Sequence, residues 1–144
     1  MGLVTAVLNH KWTKEDRIQA QREQEARTIR DQRREACHNY LVSTNRYYQS
    51  LHQMYLKAVS SEPFHPYEDL REKITALQDA YVYLTISAGS DVRQLAQSYN
   101  KTLYDLADAA RAADSGGWNT LQPETRRARD LVRTAMRAEL GVPE

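Results

Sequence analysis

Glu35, Cys37 and His38 come nearer to chemistry, by type and spacing, than any other residues in this chain. Glu35 and His38 form Glu-x-x-His, the spacing by which one helix sends two ligands to a metal in a di-iron bundle. That site needs a second such motif and further glutamates from neighbouring helices. The other Glu-x-x-His, Glu62 to His65, contains Pro63 and falls at the expected break between helices, where it cannot present two ligands from one helical face. Cys37 beside His38 suggests a thiolate dyad, but adjacent residues on a helix point about 100° apart. Cys37 instead falls on an apolar stripe and reads as a small hydrophobe. His38 and His52 are 14 residues apart, roughly 21 Å along a helix and too far for one ion. The sequence has no phosphate-binding loop, zinc pattern, Ser-His-Asp set or glycine-rich fingerprint. No catalytic, cofactor-binding or metal-ligating residue is assigned, and no cofactor is expected.

Polar ladders offer a second kind of site. Ser90, Arg93 and Gln97 fall on successive turns of one expected helix, and Ser43 and Arg46 on another. Such ladders can grip a phosphate or a base edge, although capping and solvation explain the same residues. Nine tyrosines stand against one phenylalanine, among them Tyr47, Tyr48, Tyr81, Tyr83, Tyr99 and Tyr104. They read either as core packing with hydroxyls at the rim or as an apolar pocket or partner face. Arg126, Arg127, Arg129, Arg133 and Arg137 make the last helix basic, as Lys11, Lys14, Arg17 and Arg22 do the first. Glu124, Asp130 and Glu139, and Glu15, Asp16 and Glu23, dilute them. A solvated face is the expectation, with an anionic membrane surface as the other reading and no nucleic acid.

These groups are positioned by few, long elements. Five Gly and four Pro in 144 residues leave little turn chemistry. Thr13 is the expected cap of a first helix running from about 14 to 60, with Asp16 imitating a capping box. From 14 to 35 its apolar residues are only Ile18, Ala20, Ala26 and Ile29. From 36 onward two stripes form: Ala36, Tyr40, Tyr47, Leu51, Met54, Ala58, and beside them Cys37, Leu41, Tyr48, Tyr55, Val59. The first half should project and the second half should pack. Pro63 and Pro66 break the run. Leu70, Ile74, Leu77, Tyr81, Leu84 and Ala88 predict a second helix, stopped by Gly89. Ser90 is the expected cap of a third, with Val92, Leu95, Tyr99, Leu103, Leu106, Ala110 and Ala113 inward. Asp-Ser-Gly-Gly should end it. The last helix is expected from near Thr120, with Pro123 in its first turn and Ala128, Leu131, Val132, Ala135, Met136 and Ala138 inward. Gly141 and Pro143 should close it. The expected fold is all-α: an antiparallel four-helix bundle with an extended, protruding first helix. Its expected parts are residues 1–12, flexible or membrane-proximal; 13–35, a polar helical extension; and 36–141, the bundle.

Hydrophobic residues at 41 % allow one core. A net charge of +1 gives no global field toward acidic partners. The single cysteine rules out an internal disulfide and fits a reducing, cytoplasmic setting. The apolar run from Leu3 to Leu8 is short of the roughly 20 residues a membrane span needs. It reads as an apolar first turn or as the tail of a membrane helix with a basic cytoplasmic flank. Ala6, where myristoylation wants Ser or Thr, argues against a lipid on Gly2.

Three segments carry a resemblance: the Arg-Arg-Glu-Ala run and its aromatic continuation (33–42), AYVYLTISAGSDVRQLAQ (80–97) and ARDLVRTAMRAELG (128–141). Together they resemble a group of small, largely uncharacterised helical-bundle proteins of actinobacteria, over most of the chain from about residue 22. Members often carry an N-terminal membrane helix, a polar charged helix and a compact bundle. The resemblance implies a cytoplasmic-facing bundle tethered at or peripheral to the membrane, and it supplies no active-site residues. The reading reached is a non-enzymatic helical interaction or scaffold protein, pairing through its first helix with itself or a protein partner as a weak coiled coil. The alternative is a small-molecule or nucleotide second-messenger sensor.

Overall fold

The computed structural model describes residues 2–60 and 67–142, with side chains for 13–60 and 70–142. Four helices occur in order: α1 (Gly2–Val59), α2 (Tyr67–Ser87), α3 (Ser90–Arg111) and α4 (Ser115–Leu140), and the described residues hold no strand. The fold is the expected four-helix bundle. Helix α1 begins at Gly2, so Thr13 lies inside it and not at its start. The expected break at Pro63 and Pro66, and Pro143, lie outside the described residues. The chain divides into two units, Met1–Gln32 and Arg33–Glu144.

Within the second unit the core draws on every helix. Ala36, Tyr40, Tyr47, Leu51 and Met54 come from α1, and Leu70, Leu77 and Leu84 from α2. Val92, Tyr99, Leu103 and Leu106 come from α3, and Trp118, Val132 and Met136 from α4. Each set recurs at three, four, seven or fourteen residues, which places it on one helical face. Removing such a side chain from water stabilises the fold by about 1.5–3 kcal/mol. Short turns force α2, α3 and α4 to reverse direction at each step.

Local chemistry moves two helix boundaries from their expected positions. Gly89, not Ser90, occupies the cap position of α3. Its N–H donates to the Glu139 carboxylate near the end of α4. Between α3 and α4 it is Ala113, at φ 50°, that takes the left-handed conformation, rather than either glycine of Ser115-Gly-Gly. Asp114 then caps α4: its carboxylate accepts from the Gly117 N–H at 3.0 Å. A Cβ at Gly117 would sit 2.5 Å from Asp114 Oδ2, so the cap needs the glycine. Because this cap lies upstream of Thr120, α4 starts at Ser115 and Pro123 falls inside it, beyond the first turn.

The inward face of α4 also differs from the expected one. Trp118, Thr125, Val132 and Met136 are buried, whereas Leu131 and Ala138, expected inward, are exposed. On the second stripe of α1, Leu41, Tyr48 and Tyr55 are half-buried and Val59 is exposed.

Candidate interaction surface

Residues 13–32 of α1 supply no core. All their described side chains are exposed, including Ile18 at 44 % and Ile29 at 51 %. Two side-chain hydrogen bonds within this stretch are local. Gln21 Nε2 donates to Glu25 Oε1 at 3.4 Å, and the Thr28 hydroxyl donates to the Gln24 carbonyl at 2.9 Å. Five cations and five anions between Thr13 and Gln32 leave the stretch without net charge. Ile18, Arg22, Glu25 and Ile29 are spaced four, three and four, which puts them on one face.

At the start of the bundle, Arg33 Nε donates to the Ser87 carbonyl at 3.2 Å. Glu35 and His38 are exposed, while Cys37 points inward and is 3 % exposed. The helix therefore directs the thiol away from both would-be partners. Burial pushes the Cys37 thiol up to about 11, with the Glu139 charge adding to the shift. The thiol is protonated at neutral pH, the opposite of an activated nucleophile. Among the described residues no group of three His, Cys, Asp or Glu side chains could hold a metal ion.

The tyrosines build the centre of the bundle. Tyr40 is fully buried, and its hydroxyl lies 2.7 Å from Asn100 Oδ1 and 3.0 Å from the Ala96 carbonyl. Its ring meets Tyr99 edge-on and tilts toward Tyr81, both at 6.3 Å. Desolvation raises its pKa, and the neighbouring tyrosines add to the effect. Burial likewise raises Tyr99. Tyr47 is also fully buried, but its hydroxyl has no hydrogen-bond partner. Burial pushes it up to about 12, against the opposing field of Arg111. At the other end of the core Trp118 stacks on Tyr55 at 4.4 Å, and Gln122 donates to the Tyr48 hydroxyl. Asn100, Trp118 and Thr125 were missed in the sequence. Asn100 had no local signal, because its partner Tyr40 is 60 residues away.

The polar ladders lie at the surface. Ser90, Arg93 and Arg46 are exposed and Ser43 is half-buried. Gln97 alone lines a cleft of about 600 Å³, with Tyr81, Asn100, Lys101, Tyr104 and Asp105. On α4, Arg126, Arg127, Arg133 and Arg137 are exposed and Arg129 pairs with Asp130 at 3.4 Å. Glu139, expected to dilute this basic face, turns its carboxylate to Gly89 instead. No helix among the described residues is long and apolar enough to cross a membrane. No family model matches the chain, and neither a curated protein nor a solved structure matches it.

Proposed function

We propose that the chain is a non-enzymatic helical interaction protein whose contact element is the 13–32 stretch of α1. One observation carries the reading: a helical run contributes no side chain to a core yet exposes Ile18 and Ile29 on one face. A helix without tertiary packing is marginal, and an apolar face on such a helix suits a partner helix. Membership of the actinobacterial bundle group and placement beside a membrane belong to the same proposal. The basic face of α4 supports the membrane side of it.

A photo-crosslinking residue at Gln21 tests the reading, with Gln53 on the bundle surface as control. Illumination in cells gives discrete adducts from position 21 and none from position 53. No adduct from position 21, whether with another protein or with a second copy, ends the proposal.

The cleft lined by Gln97, Asn100 and Lys101 favours a second reading, a small-molecule sensor. It offers two tyrosine rings and two amides beside Lys101 and Asp105, groups that suit a planar, polar base. A thermal-shift screen of nucleotides at about 1 mM decides it, because stabilisation follows RT ln(1 + [L]/Kd). No shift removes this reading.

A further inference from the structure

We infer that the partner of the 13–32 stretch is a second copy of itself, paired antiparallel about a point between Glu23 and Gln24. The inference rests on the interaction reading above and adds to it the occupant, the direction and the register. Antiparallel pairing about that point sets each residue level with the one whose number makes 47 with its own. Ile18 then meets Ile29 of the other copy, and Ile29 meets its Ile18. Between these two apolar layers, Arg22 meets Glu25 and Glu25 meets Arg22. All four residues share one face and all are exposed.

Charge chooses the direction. A parallel pair in the same register would set Arg22 against Arg22 and Glu25 against Glu25, and like charges facing each other destabilise. The antiparallel pair turns both contacts into attractions. The other level pairs of like sign, Asp16 with Asp31 and Arg17 with Arg30, lie about 100° or more around the helix from this face. The first unfavourable layer would set Lys14 against Arg33. Arg33 Nε is bonded to the Ser87 carbonyl of its own bundle, so the pairing window closes before it. Equal numbers of cations and anions in the window remove net repulsion between copies. Two isoleucines per copy make a small interface, which belongs to the weak, reversible class.

Sedimentation equilibrium of the full chain reads the pairing, from about 10 μM to about 1 mM protein in about 20 mM salt. Wild-type mass climbs from monomer toward dimer. Arg22→Glu and Glu25→Arg each weaken association by about tenfold, since each turns two attractions into two repulsions. An equimolar mixture of the two variants, or the double reversal R22E/E25R, restores it. Ile18→Ser with Ile29→Ser abolishes it, while circular dichroism shows the helix content unchanged. A wild type that stays monomeric throughout overturns the inference, and so does a dimer indifferent to the single charge reversals. A monomeric wild type that still gives adducts with other proteins from position 21 removes self-pairing and leaves the interaction reading standing.

Discussion

Residues 13–32 and residues 36–58 belong to one helix and obey different rules. Ile18, Ile29, Tyr40 and Leu51 recur at intervals of 11 residues. Tyr40 and Leu51 are fully buried, whereas Ile18 and Ile29 are about half exposed. The period is the same; what changes is the density of apolar residues around it. Ala36, Cys37, Tyr47 and Met54 widen the later stripe until it can face a core. Arg22 and Glu25 keep the earlier one narrow. Periodicity alone therefore makes a helix, and stripe width decides whether that helix packs within its own chain.

The largest effect separates the two regions by stability. Tyr40→Ala should cost about 4 kcal/mol, from lost burial and the cavity left behind. It also removes the hydroxyl from Asn100 and the Ala96 carbonyl. Ile29→Ser should change stability by less than about 0.5 kcal/mol, as surface substitutions usually do. Urea midpoints of the two variants check this, and similar losses from both would break the comparison.

Alkaline titration comes next and should act on the packed region alone. Cys37 is raised from 9.0 to about 11 and Tyr47 from 10.0 to about 12. Both raised values favour the protonated folded form. Their contribution is complete below pH 9, and it falls as pH rises through 9 to 11 for Cys37 and 10 to 12 for Tyr47. Thermal midpoints should begin to drop near pH 9 and, in Cys37→Ala, only near pH 10. The same onset in both proteins would remove the thiol from the account.

Two tyrosine-to-phenylalanine changes sharpen the picture of the core, and they should have opposite signs. Tyr40→Phe strands Asn100 Oδ1 and costs about 1–2 kcal/mol. Tyr47→Phe deletes a buried hydroxyl without a partner and should stabilise by up to about 1 kcal/mol. Chemical denaturation reads both. Loss in both would mean that Tyr47 has a bonded partner.

The elements were legible because glycine and proline are scarce and the apolar spacing is helical throughout. The α4 start was not, because Asp114 and Thr120 are both good caps and only the turn through Ala113 decides between them. With the helix expected from near Thr120, Trp118 fell outside it and was missed, and Leu131, expected inward, is exposed. The Tyr40–Asn100 bond was invisible for another reason: it joins two helices, and neither residue's neighbourhood marks it. In residues 13–32 Ile18 and Ile29 stood out as a sparse face. The reciprocal order of Arg22 and Glu25 emerges only when the segment is folded back on its midpoint.

Amide hydrogen exchange along α1 tests the central claim most directly, in full chain at about 5 μM, where weak pairing is dissociated. Amides of residues 40–54 should exchange only through global unfolding and move with urea. Those of residues 17–30 should exchange by local opening, orders of magnitude faster and indifferent to urea. Slow, urea-dependent exchange at equal rates along the whole helix would show that the two regions form one cooperative unit and would contradict the account.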